Sequence, residues 1–148
     1  MNIVIEKMNQ SHLEKIKNVM FEQFDEFWTA SVLEKELKNN LSAYVVALCN
    51  DDVVGYAGIW KPIDEAHITN IVVKKDERGN HIGSQLLEEL INMAKKQKLK
   101  CITLEVNVKN KNAIKLYKKY NFVEVGQRKK YYNNTDDAII MTLKLQTN

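Results

Sequence analysis

A chain of 148 residues has room for one domain, and 45% hydrophobic and 28% charged residues, with five Gly and one Pro, exclude disordered, collagen-like and low-complexity classes. The longest clean apolar run, Ala43 to Cys49, falls far short of the ~20 residues that span a bilayer, and no apolar segment follows a basic start at the N-terminus. The net charge of +3 conceals an asymmetry: Lys95 to Lys130 holds twelve basic residues against two acids, a local net of +10, while the remainder carries −7.

Ile3 to Ile5 reads as a short strand. The helical spacing of Leu13, Ile16, Val19, Met20, Phe24 and Phe27 predicts a helix over 11–26, with Ser11 as N-cap and Glu14 three residues on. Leu33 and Leu37 predict a second helix over 31–41. Tyr44 to Cys49 is a strand, Asn50-Asp51-Asp52 a turn, and Val53 to Trp60 its hairpin partner, closed by Lys61-Pro62. Ala66 to Val73 is another strand. The polar stretch Lys74 to His81 leads into a helix from about Ile82 to Lys96, striped by Ile82, Leu86, Leu87, Leu90, Met93 and Ala94. Cys101 to Val106 is predicted as a buried strand, and Ala113, Leu116, Tyr117 and Tyr120 mark one face of a short helix. Two final strands, Phe122 to Arg128 and Ala138 to Leu145, bracket Tyr131 to Asp136. This order predicts an α/β fold, with a mixed sheet that begins as a largely antiparallel meander, in a single domain over 1–148. Cys49 and Cys101 sit in apolar stretches at no metal-ligand spacing, so a soluble, reduced, cytoplasmic protein without metal or membrane partner is expected.

Two places carry chemistry. Val73 ends a strand, a polar loop with two glycines follows, and an amphipathic helix begins at once. Unpaired N–H groups at a helix N-terminus receive phosphate oxygens. Gly79 and Gly83 remove Cβ atoms where the backbone turns or meets a ligand, and Arg78, one of two arginines against twenty lysines, adds a planar cationic donor set. The loop is neither a Walker A motif nor a strict Gly-x-Gly-x-x-Gly fingerprint, so these residues alone leave phosphate binding and an ordinary turn both open. Glu105, in an otherwise apolar strand, is the second place. Twelve residues later Tyr117 lies on the apolar face of the next helix, and a strand–loop–helix turn can bring both to one end of the sheet. A carboxylate partly removed from water becomes a better base, and a tyrosine hydroxyl can donate to a departing anion; a salt-bridged glutamate and a core tyrosine are the alternative. His67 reads as a structural strand residue and Cys101 as packing.

The run from Ile71 to Phe122 resembles the GNAT N-acetyltransferases. The matching pieces are Ile71-Val72-Val73, Arg78-Gly79-x-x-Ile82-Gly83-Ser84-x-Leu86-Leu87, Leu104-Glu105-Val106, Asn110-x-x-Ala113-x-x-Leu116-Tyr117 and Asn121-Phe122. Within that superfamily the chain is most similar to the ribosomal-protein-alanine acetyltransferases, which Arg128, Tyr131-Tyr132 and Asp137-Ala138-Ile139-Ile140-Met141 also match. It departs from the family at His81, where the loop normally has glycine, and Phe27-Trp28 only echoes the group's Pro-Trp pair.

The resemblance implies a GNAT fold, with a mostly antiparallel sheet splayed at a cofactor cleft and about four flanking helices. It implies acetyl-CoA as acyl donor, CoA as product, and a protein N-terminal α-amine as acceptor, usually the alanine of a small-subunit ribosomal protein. Backbone groups of Ile71, Val72 and Val73 would hold the pantetheine and polarise the thioester; Arg78, Gly79, Asn80, His81, Ile82, Gly83 and Ser84 would bind the pyrophosphate, and Asn110 the pantetheine arm. Glu105 would be the base, Tyr117 the acid, and Tyr131 and Tyr132 would line the peptide groove. The basic region around Lys109 to Lys119 adjoins this cofactor in sequence, which offers its charge a use; otherwise these lysines are solvated helix faces. Glu22, Asp25, Glu26, Glu34 and Glu36 would attract a basic peptide or be a solvated face. A monomer or weak homodimer is expected. Direct nucleic-acid binding is not, since basic and aromatic residues do not interleave. A small-amine acetyltransferase and a non-catalytic CoA sensor are the rival readings; the presence of both Glu105 and Tyr117 argues against the sensor.

Overall fold

The computed structural model describes residues 2–17, 30–132 and 135–145. In chain order these form β1 (Val4–Lys7), α1 (Gln10–Lys17), α2 (Ala30–Leu37), β2 (Ser42–Cys49), β3 (Asp52–Trp60), β4 (Glu65–Val73), a 3₁₀ turn (Lys75–Glu77), α3 (Ile82–Lys96), β5 (Cys101–Asn107), α4 (Lys111–Lys119), β6 (Val123–Tyr132) and β7 (Asp136–Lys144). The seven strands make one sheet in the order β1-β2-β3-β4-β5-β7-β6. Every neighbouring pair is antiparallel except β4 and β5, which α3 joins as a crossover. Among the described residues no helix is long and apolar enough to cross a membrane.

Local chemistry explains where elements begin and end, and it corrects two predicted boundaries. The N-cap of α1 is Asn9, not Ser11. Its Oδ1 accepts the His12 N–H at 3.0 Å, while its own N–H donates to His12 Nδ1 at 3.0 Å, so an imidazole fills the capping-box place that Glu usually takes. The continuation of this helix through Val19, Met20, Phe24 and Phe27 lies outside the described residues, as do Trp28 and the acids Glu22, Asp25 and Glu26. α2 stops at Leu37, four residues short of the expected Leu41, which is exposed. Between β2 and β3 the pair Cys49–Asp52 closes a two-residue turn in which Asn50 and Asp51 both have positive φ, 50° and 69°. That geometry matches the right-handed strand twist, and Asn and Asp tolerate it.

Alternation sorts the core onto the two faces of the sheet. On one face Val45, Ala47, Ala57, Ala66, Ile68, Ile102, Leu104 and Val106 pack beneath α3, which buries Ile82, Leu86, Leu87, Leu90, Ile91 and Ala94. At about 1.5–3 kcal/mol per fully buried aliphatic side chain, packing rather than helix propensity holds α3 in place. On the other face Tyr44, Val46, Leu48, Tyr56 and Val72 meet Leu13 and Ile16 of α1 and Leu33 of α2. The predicted burial of β5 holds for alternate residues only: Ile102, Leu104 and Val106 are buried, whereas Thr103, Glu105 and Asn107 turn to the α1–α2 face and remain partly open.

β4 and β5 pair at only three positions, Glu65–Cys101, Ala66–Ile102 and His67–Thr103, and then part. The cause lies in β4. Ile59 pairs with Ile68 and its neighbour Gly58 with Asn70, so Thr69 is an extra, bulged residue. A bulge bends its strand and sharpens the twist, which carries 70–73 away from β5 and opens the sheet.

Candidate active site

Beyond the last β4–β5 pair lies a cleft of about 730 Å³, lined by Ile71, Val72 and Val73 at the end of β4, by the loop and first turn of α3, and by Asn110, Ala113, Leu116 and Tyr117. Its loop wall contains Glu77, Arg78, Gly79, His81, Ile82, Gly83 and Ser84. Gly79 has φ +86° with open space where its Cβ would stand, so conformation alone requires glycine there. Gly83 is different. A Cβ would meet only ordinary contacts, Leu116 at 3.8 Å and Val73 at 3.9 Å, so the protein could accommodate one. Glycine in the first turn of a helix costs up to about 1 kcal/mol against alanine, and the bare backbone faces the cleft. The His81 side chain does not cap α3, which leaves the first N–H groups of the helix without the usual N-cap acceptor. Its N-cap, His81, adopts the left-handed conformation (φ 62°, ψ 21°), which is why glycine suits this position better.

Across the gap, on the α1–α2 face, stands a second cluster. Glu105 Oε1 lies 3.1 Å from His67 Nε2, with both side chains partly buried. Burial and the adjacent Glu105 carboxylate raise the Tyr131 phenol, against the lowering influence of Arg128. Burial, then Tyr131 and Glu105, push Tyr132 up to about 12. The two tyrosine rings meet edge-on, centroids 4.9 Å apart, and the Arg128 guanidinium stacks 4.1 Å from the Tyr131 centroid. These tyrosines sit on β6, which runs to Tyr132 rather than ending at the expected Arg128. Between the pairs Arg128–Ala138 and Tyr132–Asp136 three β6 residues oppose one of β7; Lys130 takes φ 52°, and its N–H donates to Asp137 Oδ1 at 2.9 Å.

Tyr117 belongs to the cleft side. α4 ends in a Schellman motif: Phe122 N–H donates to the Tyr117 carbonyl, Asn121 N–H to that of Lys118, and Asn121 supplies the left-handed turn at φ 73°. The motif's apolar contact is Tyr117 against buried Phe122, ring centroids 5.8 Å apart, and it fixes where the phenol points. Burial, with Tyr132 nearby, pushes the Tyr117 hydroxyl up to about 12. Tyr117 lines the cleft and Glu105 does not, and Tyr132 is near both of them.

Of the residues singled out in the sequence, Ile71, Val72, Val73, Arg78, Gly79, His81, Ile82, Gly83, Ser84, Asn110 and Tyr117 all line the cleft. Asn80 does not; its side chain donates to the Glu77 carbonyl at 3.3 Å and shapes the loop. Asn110 spends its Oδ1 capping α4 through Ala113 N–H at 3.1 Å. The lysines of 109–119 are also absent from the lining. Lys109 pairs with Asp136 at 2.8 Å, while Lys111, Lys115, Lys118 and Lys119 are exposed on α4, so Arg78 is the strong cation of this wall. Of the described acids proposed to attract a peptide, Glu36 accepts from the Ser42 hydroxyl and Glu34 stands 4.0 Å from Lys17. His67, expected as a structural strand residue, stands 3.1 Å from Glu105, a contact that local pattern does not reveal. Only the parallel register of β4 on β5 brings it beside Glu105.

The family model described as "Acetyltransferase (GNAT) family" matches residues 11–122. A Bacillus subtilis protein named putative [ribosomal protein bS18]-alanine N-acetyltransferase is 33% identical over 139 residues, covering 93% of this chain and 92% of that protein. The crystal structure of the ribosomal-protein-S18-alanine N-acetyltransferase from Escherichia coli superposes with a TM-score of 0.90 at 25% identity, covering 99% of this chain and 96% of that one. Arabidopsis thaliana NAA60, solved in complex with acetyl-CoA, shares the fold at 16% identity, with a TM-score of 0.85 over 97% of this chain and 99% of that one.

Proposed function

This chain belongs to the acetyltransferase (GNAT) family and is an N-acetyltransferase, and we propose that the amine it acetylates is a protein N-terminus, that of the small-subunit ribosomal protein bS18 with its terminal alanine. The donor is acetyl-CoA, which supplies when bound an acetyl group activated as a thioester. The cleft fits such a donor. The uncapped first turn of α3, the Cβ-less Gly83 and Arg78 suit a pyrophosphate, and the apolar wall of Ile71, Val73, Ala113 and Leu116 suits a thin pantetheine arm.

The observation that carries the reading is the 3.1 Å pair of His67 and Glu105 on the face opposite the cleft. An amine approaching from that face meets a carboxylate and an imidazole before it meets the gap. In the neutral imidazole, Nε2–H donates to Glu105 and Nδ1 keeps its lone pair, so the pair accepts the amine's proton directly or through one water. Freeing an α-amine of pKa ~7.7–8.0 at pH 7.5 costs well under about 1 kcal/mol, whereas a lysine ε-amine of pKa ~10.4 costs about 4 kcal/mol. That difference of about 3 kcal/mol favours N-termini over lysine side chains. Tyr131 and Tyr132 flank the carboxylate and form the wall of the acceptor groove. On the cleft side Tyr117, held near 12, keeps its proton throughout the working pH range and presents it to the departing sulfur. Similarity to the bS18-alanine enzymes over nearly the whole chain supports the acceptor.

Mass spectrometry of a peptide panel incubated with acetyl-CoA tests the reading. We expect one added acetyl group on peptides with the bS18 N-terminal alanine, and none on the same peptides with blocked N-termini or on internal lysines. Acetylation confined to small amines or to internal lysines would overturn it.

A further inference from the structure

Tyr44 lies on β2, two strands away from the parted edge of β4, yet its hydroxyl is 2.9 Å from Thr69 Oγ1. The side chain crosses the intervening strand. Tyr44 pairs with Gly58 and Gly58 with Asn70, so the three stand in one row across the sheet. A Cβ at Gly58 would stand inside the Tyr44 ring, whose atoms Cζ, Cε1 and Cε2 are its nearest neighbours. Glycine in a strand interior gives up packing, and here its missing side chain is the slot through which the ring reaches β4. Tyr44 is 3% exposed and belongs to the apolar core beneath α1 and α2, where a phenylalanine would fill the same volume without a polar group to satisfy.

What the hydroxyl reaches is the bulged residue itself. Thr69 follows His67, the last β4 residue paired to β5, by two positions, and precedes Ile71, the first to line the cleft, by two. A bulge without a specific partner can migrate along its strand, and displacement by one residue sends side chains to the opposite face. We propose that Tyr44 is a positioning residue for acetyl transfer: its hydroxyl pins the bulge at Thr69, which keeps His67 turned to Glu105 and Ile71–Val73 turned to the donor cleft. The inference rests on acetyl transfer taking place at the β4–β5 gap and is indifferent to which amine is the acceptor.

The test uses Tyr44→Phe, Thr69→Val and Thr69→Ser, with thiol release from acetyl-CoA measured against both alanyl peptides and small amines. Acetylation of small amines alone would sink the peptide reading and leave this test intact. Tyr44→Phe and Thr69→Val should each lower kcat by roughly tenfold to a hundredfold, the scale of an ~1 Å misplacement. KM for acetyl-CoA should rise as well, because Ile71–Val73 line the donor cleft, and the double variant should fall no further than either single one. Thr69→Ser keeps the hydroxyl and should retain most of the activity. Amide hydrogen exchange across 68–73 should quicken in Tyr44→Phe while that of β1 and β2 stays unchanged. Unaltered kcat in Thr69→Val, or equal loss in Thr69→Ser and Thr69→Val, would overturn the proposal. Because Thr69 is only partly buried, its variants remain informative even if Tyr44→Phe fails to fold.

Discussion

Glu105 meets His67 at 3.1 Å, and its carboxylate helps to keep the Tyr131 and Tyr132 hydroxyls protonated. Glu105→Gln preserves size and hydrogen-bonding shape but removes the proposed proton acceptor. It should lower kcat by about 10²-fold or more, the usual contribution of a positioned base. Acetyl-CoA affinity, followed by titration calorimetry, should hardly change, because Glu105 is outside the cleft lining. His67→Ala should lower kcat by less than Glu105→Gln, and adding it to Glu105→Gln should have little further effect; fully additive losses would show that the two side chains act separately. Tyr117 makes a different prediction. Its hydroxyl is held near 12 in the folded protein against 10 unfolded, so its contribution is fully present below pH 10 and fades as pH rises toward 12. By chemical denaturation between pH 9 and 11.5, wild type should lose on the order of 2 kcal/mol more than Tyr117→Phe does. The same raised value puts any titration of Tyr117 above the range in which activity would be assayed, so the proposed acid role predicts a lower rate in Tyr117→Phe at every pH rather than a shifted alkaline limb.

Among the elements, α3 was the most legible from sequence, because a stripe at helical spacing needs only local reading; Ile91, just off that stripe, is buried as well. Its start was legible as a loop but not as a conformation. His81 holds the left-handed N-cap position at a cost of about 1–2 kcal/mol that glycine avoids, offset in part by glycine's greater freedom when unfolded. His81→Gly should therefore raise Tm by roughly 1–4 °C in a thermal melt. A lower Tm would mean that the imidazole makes a stabilising contact outweighing its backbone strain. α1 and β6 were less legible for opposite reasons. The cap of α1 is an Asn–His exchange that resembles no standard acidic box. The end of β6 depends on Asp137, across the hairpin, holding Lys130 in a conformation that its own sequence disfavours.

For the molecule as a whole, pattern and resemblance gave the order of elements and most of the cleft wall, since Ile71–Val73 and Arg78–Ser84 are contiguous in the chain. What they could not give was the meeting of distant pieces. His67 and Glu105 are 38 residues apart, Tyr44 and Thr69 25 apart, and each contact follows from strand register and from one bulged residue. The three-pair junction of β4 with β5 has a consequence for folding as well as for chemistry. The sheet is two blocks, β1 to β4 and β5-β7-β6, joined along a seam with little backbone hydrogen bonding, and α3 packs mainly on the first block, against β3 and β4. Such a seam is where local opening breaks the fewest backbone hydrogen bonds. A donor lying between β4 and the start of α4 touches both blocks at once. Its binding therefore adds a second bridge across a seam otherwise held by the shared core beneath α3, and the empty enzyme is the looser one.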